Sequence, residues 1–447
     1  MSTRVEARVP RGMRDILPEQ MIKRQYVMDV VSQVFQKFGF EPLQTPAIEL
    51  YETLMGKYGP EAEKLIYQTF HEGGSEELAL RYDLSVPLSR LVGMHPQLAM
   101  PFKRYHIAPV WRAERPQRGR YREFYQCDCD TVGSSSMLSD AETINVIYAI
   151  LERLGFTEFS IHINHRKVLN GIGQFAGVPE EQLAGLYRSI DKLDKIGLQG
   201  VKKELADNRI PEPAVDRLLD LLQTEGRNRE LIDNLEEPLG GLEEARQGLQ
   251  DLEQILDYLE ALGVPEEFYT VKFAMVRGLE YYTGSIYETT VRQSKITSSV
   301  TGGGRYDKLI GMFREESLPA VGTTIGIERI IDIMEELDMF PSQVGDTVVE
   351  VLVTLFGPEQ AKASLSMADR LRQAGINTEL YSLDYSLRSQ FKYANRKNIP
   401  YVVVIGPDEA EQQRATVRDF VSGEQKTVAR SQAAQQIKEW MEEDKKS

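Results

Sequence analysis

The spacing of apolar residues changes period several times along the chain, and the changes divide it. Residues 24–38 carry Val27, Val30, Val31, Val34, Phe35 and Phe38 at helical spacing, with Gly39 as the stop. Residues 40–50 contain Pro42 and Pro46, each of which removes a ladder donor, so an extended edge segment is predicted there. Residues 75–90 predict a strand ending near Arg81, then a helix with Pro87 in its first turn. Two apolar-laced runs, FKRYHIAPVW and REFYQCDCDTVG, flank a connection holding Pro116 and Gly119, the pattern of an antiparallel hairpin. Residues 140–154 then read as an amphipathic helix and 159–164 as a strand.

From about 171 to 262 the chain is rich in Leu, Glu and Gln, and Leu242, Ala245, Leu249, Leu252, Ile255, Leu256 and Leu259 keep one apolar seam. This region reads as a helical module inserted between two blocks of strands. Residues 320–337 predict a Gly-containing strand running into an amphipathic helix. FPSQVGD, near 340, is the linker signal, and the strands and helices that alternate beyond it predict a small α/β domain with parallel strands. Residues 440–447 read as a frayed helix end. The predicted division is 1–170, an inserted 171–262, 263–338, a linker at 339–347, and 348–447.

A chain of 447 residues exceeds one ordinary domain, and 41% hydrophobic with 27% charged residues is a globular, soluble composition. No run reaches the length of a membrane span, and no apolar core follows the N-terminal basic residues as a signal peptide requires. Glu6 and Asp15 interrupt the series Arg4, Arg8, Arg11 and Arg14, which argues against a transit peptide and leaves the cytoplasm as the expected location. The two cysteines, Cys127 and Cys129, are too few for a disulfide framework or a zinc site and read as packed thiols.

The net charge of -15 argues against non-specific coating of nucleic acid, which needs many cations on one face. Residues 102–122 run the other way: Lys103, Arg104, Arg112, Arg115, Arg118, Arg120 and Arg122 stand against Glu114 alone. Surface arginines on a solvated hairpin would account for that excess; so would a docked anion. The neighbouring strand favours the second account, because Gln126, Asp128 and Asp130 alternate with Tyr125, Cys127 and Cys129 and share one face. A carboxamide and two carboxylates beside arginines suit a zwitterion next to a phosphate. Asp83 and Ser85 precede a helix, where Asp or Ser normally serves as a cap. TGGGRYD lacks the GK[ST] of a P-loop and does not fit GxGxxG, so its glycines are read as allowing close backbone approach. Arg277 and Tyr282 lie five apart, which requires the backbone to turn at Gly278 if both line one pocket. The cations Arg388, Lys392, Arg396 and Lys397 fit a solvated helix face.

WRAERPQRGRYREFYQCDCD resembles motif 2 of class II aminoacyl-tRNA synthetases, and histidyl-tRNA synthetases in particular. LRYDLSVP, VPRGMRDILPEQ and VRGLEYYTG resemble further segments of that family, while the helix-strand unit near the N-terminus and AVGTTIGIERI resemble motifs 1 and 3. The resemblance implies an α+β class II catalytic domain, an antiparallel sheet flanked by helices with a helical insertion, plus a C-terminal α/β anticodon-binding domain. It also implies a homodimer, the substrates L-histidine, ATP and tRNA(His), and Mg2+ bound with ATP. By the same resemblance, Arg112 and Arg277 flank the carboxylate and α-phosphate, Glu114 and Arg120 hold the nucleotide, and Arg329 meets the distal phosphates. Asp83, Ser85 and Gln126 take the ammonium, Asp130 and Tyr282 read the imidazole, and Gln117 and Arg118 face the tRNA acceptor end. The motifs depart from the family at Ser85, Glu280 and Asn398, where Thr, Asp and Gly are usual, and Asp128 receives no role. The alternative within the resemblance is a catalytically silent paralogue serving as a regulatory subunit in histidine biosynthesis.

Overall fold

The computed structural model of the chain describes residues 5–116, 119–190, 192–208, 210–276, 281–342 and 344–444. Two compact units form: Met1–Asp15 with Val27–Met339, and Ile16–Tyr26 with Phe340–Ser447.

The first unit is built on a sheet whose strands are β1 (Glu41–Pro42), β5 (Phe102–Trp111), β6 (Glu123–Val132), β7 (Phe159–His165), β8 (Tyr269–Val271), β9 (Ser285–Val291), β10 (Thr301–Arg305) and β11 (Ala320–Ile325). A separate small sheet holds β2 (Ile48–Leu50), β3 (Gln68–Thr69) and β4 (Leu78–Leu80). The large sheet runs β1-β5-β6-β11-β10-β9-β7-β8. Its interior pairings are antiparallel, and only the edge pairs, β1 with β5 and β7 with β8, are parallel. The expected antiparallel sheet flanked by helices is present, with a mixed edge on each side. Pro42 sits in the short edge strand, where its missing donor leaves no ladder bond unmade.

The hairpin forms as its pattern predicts. Trp111 pairs with Glu123 and Phe102 with Val132, which sets His106 opposite Asp128 and Arg104 opposite Asp130. The helix Met137–Arg153 starts at Ser136, whose hydroxyl accepts the Leu138 N–H, and packs its wholly buried Ile144, Ile147, Ile150 and Leu151 inward, against β10 and β11 among others. Each such side chain contributes about 1.5–3 kcal/mol by leaving water. Between Arg166 and Ala261 the described residues are largely helical, the first helix, Arg166–Ala176, beginning directly after β7. The seam along Glu243–Ala261 packs on Arg166–Ala176 and Met137–Arg153, burying Leu249, Leu252, Ile255, Leu256 and Leu259.

The second unit contains β12 (Val351–Val353), β13 (Thr378–Leu380), β14 (Tyr401–Val404), β15 (Arg414–Asp419) and β16 (Gln425–Ala429) in the order β13-β12-β14-β15-β16. The first three are parallel, as the strand-helix alternation predicts, and β15 and β16 extend the sheet antiparallel. Fraying is expected over 440–447, but among the described residues the helix Ala433–Asp444 continues through Trp440, which is buried and stacked on Tyr401 at 6.1 Å.

Candidate functional site

One face of the large sheet carries a cavity of about 370 Å3, and its floor is set by strand register. One row across the sheet reads Arg104, Asp130, Gly322, Gly304; the next reads His106, Asp128, Thr324, Gly302, Glu288. The glycines are what make the floor hollow. A methyl on Gly322 would lie 2.0 Å from Asp130 Oδ1, one on Gly303 2.4 Å from the Gly322 carbonyl and one on Gly304 2.5 Å from the Ser285 carbonyl, so close approach explains two glycines of TGGGRYD, while Gly302 has open space.

Asp83, Ser85, Gln126, Asp130 and Tyr282 all line this cavity, as do Arg112, Glu114, Arg120 and Arg329. Asp83 is the helix cap that its position predicts, and it also faces the cavity. Its Oδ1 accepts the Val86 N–H at 3.0 Å at the start of helix Ser85–Met94, and the same carboxylate accepts Tyr58 at 3.0 Å and Tyr281 at 3.3 Å. Burial raises the Asp83 carboxyl above its ordinary range, opposed by the Val86 N–H and Arg112. Asp130 is held by Arg104, Nη2 to Oδ2 at 2.7 Å, and by the Tyr306 hydroxyl on Oδ1. Burial raises it more than Arg104 lowers it. The Tyr282 hydroxyl is pushed up by burial and then by Asp128 and Asp130, so it stays protonated.

At the basic part of the wall, Arg112 donates to the Tyr82 carbonyl at 3.1 Å and lies over the rings of Tyr82 at 4.3 Å and Phe124 at 5.1 Å. Such sandwiching fixes a guanidinium while leaving it cationic. Arg120 Nη1 is 3.6 Å from Glu114 Oε2, and Arg329 donates to the Ser299 carbonyl. The Gln126 amide donates to Thr324 Oγ1 at 3.4 Å. Arg277, with its turn at Gly278, and Gln117 and Arg118 lie outside the described residues.

The basic excess along the hairpin is not one anion-docking surface. Arg104 is wholly buried and neutralised by Asp130, and Lys103 pairs with Glu142 at 2.9 Å. Arg122 donates to the Glu114 carbonyl at 2.9 Å, bracing the loop, and among the described cations of the hairpin only Arg112 and Arg120 line the cavity. The sequence pattern also passed over Tyr58, Arg104, Tyr281, Glu288, Tyr306 and Glu328. Arg104 had a usable signal, since counting the hairpin register back from its loop sets it opposite Asp130. Glu288 and Glu328 line the cavity near Ser299 and Arg329, and Glu328 Oε1 accepts the Tyr125 N–H at 3.2 Å. Their oxygens can serve a hydrated hard cation one or two at a time. Among the described residues, no group of three or more His, Cys, Asp or Glu side chains could hold a metal ion, and both cysteines are free and buried.

The cavity therefore has carboxylates and tyrosines in one part and sandwiched arginines with an aromatic face in another. An ammonium-bearing ligand with a polar ring fits the first, and a nucleotide fits the second.

Residues 12–330 match a family model described as histidyl-tRNA synthetase, and residues 350–440 match one described as an anticodon binding domain. The chain is 42% identical to the histidine–tRNA ligase of Gloeobacter violaceus over 95% of its own length and 97% of that protein's, and 39% identical to that of Porphyromonas gingivalis over 94% and 96%. The crystal structure of histidyl-tRNA synthetase from Nostoc sp. PCC 7120 superposes with a TM-score of 0.84 at 33% identity, covering 98% of this chain and 100% of that one.

Proposed function

The chain belongs to the histidyl-tRNA synthetase family, an aminoacyl-tRNA ligase with the class II catalytic fold, and from that premise we propose how its cavity carries the reaction. L-Histidine is activated with ATP to histidyl-adenylate, and the histidyl group then passes to the 3' end of tRNA(His). In the first step a carboxylate oxygen of histidine attacks the α-phosphorus, forming the mixed anhydride as the bond to pyrophosphate breaks. In the second, a hydroxyl of the terminal ribose attacks the carbonyl carbon and AMP leaves. Neither step needs a covalent enzyme intermediate, so positioning and charge neutralisation dominate.

Arg112 and Arg277 flank the reacting carboxylate and α-phosphate. Glu114 and Arg120 hold the nucleotide, with their mutual contact exchanged for contacts to it, and Arg329 meets the distal phosphates. Asp83, Ser85 and Gln126 receive the ammonium, and Asp130 and Tyr282 read the imidazole. A buried acceptor here discriminates strongly, since a ligand without a ring N–H leaves it unpaired. Mg2+ bound with ATP would screen the phosphate charge, and the cavity-lining carboxylates Glu288 and Glu328 would be the protein groups to hold it. Gln117 and Arg118 face the tRNA acceptor end.

The working form is a homodimer in the cytoplasm; no helix among the described residues is long and apolar enough to cross a membrane. Catalytic segments 1–170 and 263–338 flank the insertion 171–262, and the linker 339–347 leads to the anticodon-binding domain 348–447. The observation that carries the reading is the convergence of Asp83, Gln126 and Asp130 with Arg112 and Arg329 on one cavity. Histidine-dependent exchange between ATP and pyrophosphate tests it. Exchange stimulated by histidine alone among the amino acids is expected, and a well-folded chain without it would overturn the reading and favour a silent regulatory paralogue.

A further inference from the structure

Asp128 is a cavity carboxylate to which the motifs assign no task. It lies between Gln126 and Asp130 on the same face of β6, is 3% exposed, and lines the cavity. Among the described residues its Oδ1 is buried and accepts no hydrogen bond. Thr324 serves the Asp128 carboxylate with one side-chain hydrogen bond, whereas the other two inner carboxylates have a hydrogen-bond or ion-pair partner on both oxygens. Asp83 is served by Tyr58, Tyr281 and Val86, and Asp130 by Arg104 and Tyr306. A buried carboxylate oxygen left without a donor costs free energy, so its retention in a cavity wall marks a place for a donor that arrives with the ligand.

The surroundings indicate which part of the ligand that is. Across the floor, Asp128 faces Thr324 on β11 and His106 on β5, with Arg104 and Asp130 in the next row. The charge that most raises the Tyr282 hydroxyl is Asp128, ahead of Asp130 and Asp83, which puts Asp128 beside the tyrosine assigned to the ring. His106 offers no competing cation. Burial, Arg104 and Arg81 hold its imidazole down to about 3, and it is neutral at physiological pH. Burial lifts the Asp128 carboxyl to about 7, with Arg104 pulling down and Asp130 pushing up, so a donor arriving there stabilises its ionised form.

We infer that Asp128 is a specificity-determining residue that accepts a ring N–H of the substrate imidazole, so that the ring is read by two carboxylates, Asp128 and Asp130. This rests on the proposal that the cavity takes histidine.

The test uses the full-length chain and isothermal titration with two ligands, L-histidine and 3-(2-thiazolyl)-L-alanine, whose ring is similar in shape but carries no N–H. For Asp128→Asn, histidine affinity should fall by about 10- to 100-fold, the range for losing a hydrogen bond to a charged group. Affinity for the thiazole analogue should change by less than about threefold, and KM for ATP likewise, the weight of a lost contact being confined to the ring N–H. The apo variant should unfold at a temperature no lower than the wild type, because a buried carboxylate with one oxygen lacking a donor has been removed; a loss of stability with histidine affinity intact would instead show Asp128 serving His106 and Thr324 as part of the framework and overturn the inference. Equal weakening of both ligands would place Asp128 at the ammonium and overturn it as well. Asp128→Ser, smaller and uncharged, gives the same comparison should the Asn variant not fold. A wild-type chain that binds no histidine would instead remove the functional reading beneath it.

Discussion

Arg104 and Asp130 face each other across β5 and β6 as a buried ion pair, Nη2 to Oδ2 at 2.7 Å, with side chains 0% and 3% exposed. Arg104 also donates to the Leu84 carbonyl at 3.2 Å, and Tyr306 completes the carboxylate. Removing one member of such a pair strands the other charge in low dielectric. Arg104→Met should therefore cost about 3–5 kcal/mol at neutral pH. The loss should shrink under acidic conditions, where Asp130 takes a proton and no longer needs its partner. Urea unfolding at pH 5 and pH 7.5 measures this, and an equal cost at both values would show that the guanidinium acts through packing alone.

The cavity floor makes a different demand at Gly322, where a methyl would meet Asp130 Oδ1 at 2.0 Å and the Cys129 carbonyl at 2.6 Å. Both neighbours are fixed, one by its ion pair and the other by the β6–β11 ladder. Gly322→Ala should destabilise by about 1–3 kcal/mol through overpacking and displace Asp130. KM for histidine should rise at least tenfold, the equivalent of about 1.4 kcal/mol of lost binding, while KM for ATP stays within a factor of about two. A variant with unchanged histidine kinetics would remove Asp130 from the ring-binding role.

Asp128 gives the ligand-free protein a pH signature. Its carboxyl titrates at about 7 in the fold, against about 3.9 in an unfolded chain. Between those values the folded chain holds a proton that the unfolded chain has released, so stability falls as pH rises from about 4 to about 7. Below about 4 both states are protonated and nothing is lost, and above about 7 the loss is complete. Asp128→Asn should flatten that part of the profile. Urea midpoints for both proteins at pH 5, 6, 7 and 8 check it; parallel profiles would mean that Asp128 ionises normally in the fold.

How much of this was legible beforehand depended on distance along the chain. The hairpin, the shared face of Gln126, Asp128 and Asp130, and the insertion's apolar seam follow from local periodicity, and the structure has them all. Tyr58 and Tyr281 reach Asp83 from 25 and 198 residues away, and no local pattern announces such bonds. Arg104 counts in the sequence as one more cation of a basic hairpin, because composition tallies charges without seeing their partners. Asn398 shows the opposite case. The Gly usual there is replaced, yet the residue adopts φ 54, which Asn tolerates among non-glycine residues, and its amide donates to Asp346 at 2.6 Å. Trp440 was read as frayed for want of any local sign of Tyr401 beneath it.

Asp83 joins stability to recognition in one carboxylate, and two substitutions separate them. Its Oδ1 accepts the Val86 N–H at the start of helix Ser85–Met94, and Tyr58 and Tyr281 donate to the same group. Asp83→Ala removes cap and charge together, so stability should drop by at least about 1 kcal/mol, the usual weight of a cap, with more lost from the two orphaned hydroxyls. Asp83→Asn keeps a carbonyl oxygen for Val86 and Tyr58, removes the charge that the substrate ammonium would meet, and replaces the oxygen facing Tyr281 by an amide NH2 that can donate to that hydroxyl once it turns. Its stability should lie near the wild type while KM for histidine rises at least tenfold, the equivalent of about 1.4 kcal/mol. Histidinol, which keeps the ammonium, should weaken as much as histidine. Imidazole-4-propionate, which lacks it, should bind both proteins equally. If the Asn variant lost affinity for that analogue to the same degree, the charge would be organising the cavity as a whole, and Asp83 would be a structural cap with no contact to the amino group.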